Sequence, residues 1–342
     1  VMFTTMHLTF ISRPLLPFLL LLSLGWTVPS YIQAQDHSDE IFRFLRIPTS
    51  AQMAGMGGDH VGLWNSDGST FFTNAAYLSP SDHGTASLSF VNYFADARYS
   101  NLHYAYNIEG VGTIAAGVQY ASYGDMRRYD EFGGDLGSFN AGDYVTQLSL
   151  SRSLYPTVRS GFSIQWLHSS LDQYNASAFA FSGGAIYTHT EKVLAAGVTV
   201  QHLGWVYNNY LNSEEKLPLN IALGVSFKPE NFPFLMALTL NDLNRWELPV
   251  LGEENPRSVD HALRHLQVGG EATIGKHAYL RWGYNPYQHE QTETGRAIDL
   301  AGASIGLGIV IQEYRFDISR QSYSRMGGIV QVSFQRIPPR GN

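Results

Sequence analysis

The sequence predicts an all-β fold: a transmembrane antiparallel β-barrel of about fourteen strands, with an N-terminal plug or hatch segment. Three observations support this prediction. Apolar and small polar residues alternate through strand-length segments from Thr85 onwards. The gaps between these segments are alternately short and, in most cases, long, as in bacterial outer-membrane barrels. Only 15% of the 342 residues are charged, well below the ~25% of soluble domains.

The composition excludes several classes of function. The formal net charge is −7, and no basic run is interleaved with aromatic residues, so nothing favours nucleic acid as a partner. The chain contains no cysteine, which excludes disulfides, cysteine zinc sites and thiol nucleophiles. Aromatic residues make up 13% of the chain and are available for the interfacial girdles of a membrane barrel.

Residues 1–34 have the pattern of a secretory signal peptide. Arg13 supplies positive charge, residues 15–24 form an apolar core, and Ala34 precedes the predicted cleavage site at Gln35. An uncleaved membrane anchor is the alternative, although the apolar core is short for a span. No later run of ~18 apolar residues follows, so membrane residence must come from strands.

Residues 35–84 are predicted to form the plug or hatch. Residues 48–58 predict a short capped helical turn that ends in glycines, and residues 71–78 predict a second short helix. The segment is too apolar to remain in solvent and too irregular to be barrel wall. We therefore expect it to fold into the lumen.

Residues 85–336 are predicted to form the barrel, and residues 337–342 a C-terminal tail. Leu88 and Phe90 alternate with Ser87 and Ser89, and later segments repeat this pattern. We expect the apolar face to contact lipid and the small polar face to line the lumen.

The positions of the gaps predict the two ends of the barrel. Short turns are predicted at 108–110, 154–157, 189–192, 229–232, 275–277 and 312–313. Long outer loops are predicted at 122–142, 204–216, 243–262 and 286–299, and shorter outer connections near 95–97, 170–176 and 321–326. Aromatic girdles are predicted from residues near strand ends: Tyr93, Tyr99, Tyr144, Trp205, Trp246, Tyr284 and Tyr287.

Three motifs have catalytic or binding interpretations that their context does not favour. Ser304 lies in a G-x-S-x-G sequence, but mid-strand rather than at a strand-to-helix turn. His261 and His265 have the i, i+4 spacing of a metal pair on a helix, without an obvious third ligand. The glycines of 55–58 fit tight packing better than a nucleotide loop. No catalytic, cofactor-binding or metal-binding residue is predicted, and the protein is not expected to be an enzyme.

Two further sets of residues have both a functional and a structural interpretation. The lumen charges either line a conduit or pair with the plug and with one another, and pairing is favoured because buried charges need partners. They are Lys228, Glu271, Arg281, Arg315 and Asp317. The loop 122–142 mixes aromatic and charged residues, so it is either a partner surface or an ordinary solvated loop.

Several runs resemble the PorQ family of type IX secretion proteins in Bacteroidetes, within the wider group of FadL-like fourteen-stranded barrels. The runs are Phe44-Leu45-Arg46-Ile47-Pro48-Thr49-Ser50-Ala51 leading to Gly57-Gly58, Phe90-Val91-Asn92-Tyr93-Phe94-Ala95-Asp96, Gly117-Val118-Gln119-Tyr120 with Tyr123-Gly124-Asp125, Asp242-Leu243-Asn244-Arg245-Trp246, Leu263-Arg264-His265 and Leu280-Arg281-Trp282-Gly283-Tyr284-Asn285. They span nearly the whole mature chain, in order.

The resemblance implies a non-enzymatic component of the Gram-negative outer membrane that anchors a cell-surface attachment complex. It implies outer-membrane lipid and the surface proteins PorZ, PorU and PorV as partners, and no cofactor. The outer loops 122–142 and 243–262 would then hold the surface partner. The alternative is a FadL-like channel for uptake of a hydrophobic compound, with an apolar pocket near Phe42, Phe44, Met53 and Met56, although these residues also fit simple plug packing.

Overall fold

The computed structural model describes residues 40–64, 66–191, 193–210, 215–229, 232–250, 257–294, 299–323 and 327–338. The predicted signal peptide, the first five residues of the predicted hatch segment and the last four residues of the predicted tail lie outside this part of the chain. In the part that is described, no helix has both the length and the apolar character that crossing a bilayer requires.

Fourteen antiparallel strands close into a single barrel, as predicted. Each strand pairs with its neighbours in the chain, and β1 closes the barrel against β14 from Ala86↔Arg336 to Asn92↔Val330. The strands are β1 Ala86–Asn92, β2 Arg98–Ile108, β3 Gly112–Tyr129, β4 Asp135–Tyr155, β5 Val158–Leu171, β6 Tyr174–His189, β7 Leu194–Asn208, β8 Asn220–Phe227, β9 Phe234–Leu240, β10 Leu266–Ile274, β11 Ala278–Tyr284, β12 Ala303–Ile311, β13 Tyr314–Tyr323 and β14 Gly327–Arg336.

The two faces of the wall have the predicted chemistry. In β1, Ser87 and Ser89 are buried, whereas Leu88 is 49% and Phe90 44% exposed on the outer surface. The same alternation continues through β14, where Val332 and Phe334 point outwards. A continuous belt of exposed aliphatic and aromatic side chains around a closed barrel is stable when it contacts hydrocarbon rather than water.

The short turns lie at one end of the barrel, as predicted. The gap between β10 and β11 is 275–277, and that between β12 and β13 is 312–313. At the other end, the prediction of a long loop at 122–142 is wrong, because β3 and β4 continue as a hairpin joined by residues 130–134. The hairpin extends beyond its neighbours, so its outer part is exposed on both faces and loses the alternation that marks a half-buried strand.

Two of the long connections contain short helices. Helix α2 (Ser258–Arg264) precedes β10, and helix α3 (Pro286–Thr292) follows β11. The side chain of Arg264 joins them: its Nε donates to Glu290 Oε2 at 2.7 Å, and its Nη1 donates to the carbonyl oxygen of Leu248 at 3.0 Å. The segment predicted as a partner-binding loop at 243–262 is therefore partly held against its neighbours.

Most of the predicted girdle residues are exposed near the long-connection end. They are Tyr144, Trp205, Trp246 and Tyr284. The prediction is wrong for Tyr99, because the alternation of β2 turns this side chain into the lumen. There its ring stacks on that of Phe44, with 6.2 Å between the centroids. Tyr93 packs between Tyr99 and Tyr323, and the hydroxyl of Tyr287 donates to the carbonyl of Pro249.

Residues 40–84 occupy the lumen as the predicted hatch. The segment contains helix α1 (Ala51–Gly55) and four short 3-10 turns, at Arg43–Arg46, Gly68–Phe72, Ala75–Tyr77 and Pro80–Asp82. It begins at the long-connection end, where Glu40 forms a parallel bridge with Lys216. It ends at the short-turn end, where the amide of Gly84 donates to the carbonyl of Ala105 and the chain enters β1.

Candidate functional site

Glycines allow the hatch backbone to lie directly against the barrel wall. A Cβ atom added to Gly197 would lie 1.8 Å from the carbonyl oxygen of Val61, and one added to Gly283 would lie 2.0 Å from the carbonyl carbon of Met56. The hatch glycines pack in the same way, since a Cβ on Gly55 would lie 3.0 Å from Cα of Gly306. At the levels of Gly197, Gly283 and Gly306 along the barrel, the backbones of hatch and wall are in contact. Passage through the lumen therefore requires the hatch to move.

An apolar patch on the inner wall lies under the first part of the hatch. The lumen-facing side of a barrel strand is usually polar, yet one side of this wall carries Ala121, Val145, Leu167, Ala176, Ala178 and Ala180. Hatch residues Ile41, Phe42, Phe44 and Leu45 cover the patch and are buried there. Sequence analysis missed this patch, although the inward alanines of β6 depart from the polar pattern and were a usable signal.

The apolar pocket suggested by the sequence is divided between two places. Phe42 and Phe44 belong to the patch at the long-connection end. Met53 and Met56 lie deeper, in a second cluster with Leu63, Tyr77 and Ile186. The turn at 47–50 separates the two, because it carries the chain from the outer end towards the middle of the lumen. All four residues pack against neighbouring side chains, and they belong to two separate clusters of buried residues.

A small cavity opens between the hatch and strands β1–β3, beside the apolar patch. With the hatch in this position it has room for about one water molecule, and it is partly open to solvent. Its walls are mostly apolar, with a few polar side chains, which is the usual composition of a ligand site. The lining residues are Phe44, Ile47, Pro48, Thr49, Val91, Tyr99, Ser100, Asn101, Gln119 and Tyr120.

An ionic cluster, here called the outer latch, fastens the start of the hatch to the connection after β9. It consists of Glu40, Arg46, Asp242 and Arg245. Arg245 lies 3.0 Å from Glu40 and 2.7 Å from Asp242, and Arg46 lies 3.0 Å and 2.9 Å from the same carboxylates. Burial raises the pKa of Asp242, but the charges and hydrogen bonds of the two arginines outweigh burial and hold it below the ordinary value.

A second ionic network lies deeper, between the wall and helix α1. Arg281 is fully buried and contacts Glu271 at 2.7 Å and Asp317 at 2.6 Å, while Arg315 contacts Asp317 at 2.7 Å. The side-chain amide of Gln52 in the hatch donates to Glu271 at 3.3 Å. Pairing is therefore confirmed for four of the five lumen charges. The fifth, Lys228, lies just after β8 at the short-turn end.

Two adjacent hatch residues have strongly shifted pKa values. Burial raises the pKa of Asp59 to about 7, although its carboxylate accepts a hydrogen bond from the amide of Thr49 at 3.2 Å. Burial lowers the pKa of His60 to about 4. The ring of His60 lies between Thr239 Oγ1, at 2.9 Å, and the carbonyl oxygen of Met56, at 3.0 Å. These contacts tie the middle of the hatch to β9 without a charge at His60 near neutral pH.

Ser304 and His265, from the serine and histidine motifs, are engaged in structural contacts. Ser304 lies in β12 and its hydroxyl donates to the carbonyl of Gly55 at 3.4 Å. His265 follows helix α2, and its two ring nitrogens lie 2.7 Å from the carbonyl oxygen of Asn241 and 3.2 Å from that of Trp246. Within the described residues, no group of three His, Asp or Glu side chains is arranged to hold a metal ion.

Solved structures with a similar fold include two monoaromatic hydrocarbon channels. No family model matches the chain, and no curated protein sequence matches it. A TodX monoaromatic hydrocarbon channel mutant superposes with a TM-score of 0.52, at 11% identity, over 85% of this chain and 99% of that one. The CymD monoaromatic hydrocarbon channel gives 0.51, at 12% identity, over 88% and 100%. At this identity the similarity shows the fold, a multi-pass outer-membrane barrel.

The prediction of an anchor for type IX secretion is wrong in the light of this comparison. The two solved barrels reported above are named as hydrocarbon channels and not as secretion components, so the comparison agrees better with the alternative interpretation from the sequence. The runs that resemble PorQ also have architectural roles. Phe44 and Leu45 cover the apolar patch, Arg281 pairs with the Glu271 carboxylate that accepts from Gln52 of helix α1, and Gly283 lies against the turn after this helix. The suggested partners PorZ, PorU and PorV stay predictions that no observation tests.

Proposed function

We propose that the protein is a non-enzymatic outer-membrane channel that admits a small hydrophobic compound. The apolar patch on the inner wall is the observation that carries this proposal. A lumen that only needed filling by a polar plug would not require Val145 and Leu167 to face inwards. The patch lies at the long-connection end, which faces the exterior in barrels of this kind. The fold shared with two monoaromatic hydrocarbon channels supports the same conclusion.

The hatch supplies the means of opening. Residues 41–45 are held on the patch by apolar contacts and by the outer latch, which are noncovalent. A hydrophobic compound that binds the patch replaces the contacts of Phe42 and Phe44 with its own, so displacement of the segment costs less free energy when the compound is present. In the described lumen, no nucleophile, base and acid converge as an active site would require.

A disulfide between hatch and wall tests whether hatch movement admits the compound. A Cβ built on Gly55 lies 3.4 Å from Cβ of Ser319, at the edge of the roughly 3.5–4.5 Å range of disulfides. The native chain has no cysteine, so the double variant G55C/S319C forms only this bridge. Radiolabelled toluene is supplied to Gram-negative host cells that metabolise it, and the rate of product formation reports entry.

We expect the oxidised double variant to lose toluene entry and to regain it on reduction. The single variants G55C and S319C are the matched controls, because they carry the same side-chain changes without a bridge. Heat-modified mobility on gels verifies that each barrel is folded. If the wild type admits toluene no faster than cells without the barrel, or if the oxidised variant admits it at the wild-type rate, the proposed function is wrong.

A further inference from the structure

Two buried side-chain amides beside the cavity leave their oxygen atoms without donors. Asn101 on β2 is 8% exposed and Gln331 on β14 is 1% exposed, and both point into the lumen. Neither Asn101 Oδ1 nor Gln331 Oε1 has a hydrogen-bond partner among the described residues. Buried amide oxygens without a donor are costly and rare in native proteins, so such a pair calls for a missing partner.

The hatch fixes the orientation of both amides. Asn101 Nδ2 donates to the carbonyl oxygen of Thr49 at 2.7 Å, and Gln331 Nε2 donates to that of Pro48 at 3.1 Å. A carbonyl oxygen only accepts, so the nitrogen of each amide must face the hatch and the oxygen must face away from that contact. The two acceptors are consecutive residues, which places both amides at neighbouring points on the hatch.

One of the two amides, that of Asn101, borders the cavity that lies next to the apolar patch. Asn101 lines it directly, as do Pro48 and Thr49, which accept from the amides. Gln331 is paired across the sheet with Val91, which also lines the cavity. The aromatic and aliphatic part of the wall comes from Phe44, Ile47 and Tyr99. A compound that fits this cavity has an apolar body and a polar end that donates a hydrogen bond.

We infer that the channel selects small hydrophobic compounds that carry a hydrogen-bond donor, and that Asn101 Oδ1, which borders the cavity, receives that donor. This inference rests on the proposed function and narrows its substrate class. A hydrocarbon of the same size would cover the apolar wall but leave Asn101 Oδ1 unpaired, and buried polar groups left unpaired are what makes a site reject such an analogue. The cavity is small, so a ring enters only when the side chains of Phe44 and Ile47 move aside.

Phenol and toluene form the test pair, because they have nearly the same shape and differ in one donor. Equilibrium dialysis of the purified full chain in detergent measures the binding of each radiolabelled compound. Each affinity is divided by the partition of that compound into protein-free micelles, which removes the difference in hydrophobicity. We expect the normalised affinity for phenol to exceed that for toluene roughly five- to tenfold, as one neutral hydrogen bond provides.

Two matched variants locate the effect. Asn101→Leu removes the inward amide, and we expect it to bring the phenol-to-toluene ratio close to one while toluene still binds. Asn92→Leu makes the same change on the outer face of β1, and it should keep the wild-type ratio. Equal normalised affinities in the wild type would mean that water alone satisfies the amides, and would overturn the inference while the channel function stands. Binding of neither compound would overturn the proposed function together with the inference.

Discussion

Replacement of Glu40 by glutamine should loosen the outer part of the hatch. The Glu40 carboxylate is 1% exposed and lies 3.0 Å from both Arg46 and Arg245, so it is shared between two cations. Glu40→Gln keeps the size of the side chain and removes its charge. Arg245, itself 1% exposed, then loses the charge of Glu40 and keeps its contact with Asp242.

The free-energy cost of Glu40→Gln follows from the geometry of the outer latch. Removal of one partner from a buried ion pair costs about 3–5 kcal/mol when the other charge is left alone. Here Asp242 still contacts both arginines, and the glutamine oxygen still accepts a hydrogen bond, so we expect about 2–3 kcal/mol. Since about 1.4 kcal/mol is a factor of ten, the population of the open hatch segment should rise roughly 30- to 150-fold.

Labelling of a single cysteine measures this population. Thr49→Cys places a thiol three residues beyond Arg46, at a position that is 6% exposed, in a chain with no other cysteine. We refer to this cysteine as the hatch reporter. When opening is rapid, the rate of maleimide labelling is proportional to the open population. The labelling rate in Glu40→Gln should rise by the calculated factor at constant pH and ionic strength.

Glu290→Gln is the matched control for this prediction. It makes the same chemical change in an ion pair with Arg264 that joins helices α2 and α3. We expect the hatch reporter to react at the unsubstituted rate in this variant. A labelling rate in Glu40→Gln within twofold of the unsubstituted rate, in a barrel that is folded by heat-modified gel mobility, would refute the claim that the outer latch holds the hatch.

Two further predictions use a nitroxide attached to the hatch reporter, whose mobility reports hatch release independently of pH. Burial favours the neutral form of both side chains in the closed hatch. The contribution of His60 to the stability of the closed hatch is therefore full above pH 6.5 and is lost towards pH 4. The contribution of Asp59 is full below pH 3.8 and is lost towards pH 7. Asp59→Asn leaves His60 as the titrating group, so the nitroxide should become mobile only on acidification. His60→Gln leaves Asp59, so the nitroxide should become mobile only on alkalinisation. Nitroxide mobility that does not change with pH in either variant would contradict the two pKa shifts. Gly197→Ala should mobilise the nitroxide at all pH values, because the new Cβ meets the carbonyl oxygen of Val61. Gly183→Ala is the control and should not mobilise it, because the new Cβ would lie 3.8 Å from the nearest atom. Equal nitroxide mobility in the two variants would count against backbone contact between hatch and wall.

The barrel could be predicted from the sequence because its signal is local. Leu88 and Phe90 lie on the outer, lipid-facing side and Ser87 and Ser89 face the lumen, so the two-residue alternation of apolar and polar side chains is visible in neighbouring residues of the sequence. The extent of the β3–β4 hairpin could not be predicted, because beyond the membrane both of its faces are exposed and the period disappears. The backbone ladder that continues there does not depend on a particular alternation of side chains.

The candidate site could not be predicted, because it depends on pairs of residues that are far apart in the chain. Glu40 and Arg245 are separated by 205 positions, and nothing near either residue indicates its partner. Asn101 and Gln331 look like the other inward polar residues of the wall. Their distinguishing feature is that the hatch carbonyls fix the nitrogen of each amide while each oxygen has no partner among the described residues, which is a property of the packed hatch.

The two ionic groups divide the hatch into halves of unequal accessibility. The deeper network, built on Arg281 and Asp317, is at most 7% exposed in every side chain, so its charges are separated from water. In the outer latch, Glu40 and Arg245 are just as buried, but Arg46 is 27% and Asp242 12% exposed, so water can solvate these two charges as they separate. Opening of the outer half therefore requires less free energy than opening of the inner half. A compound that arrives from the exterior meets the half of the hatch that opens more easily, and the apolar patch lies directly beneath it.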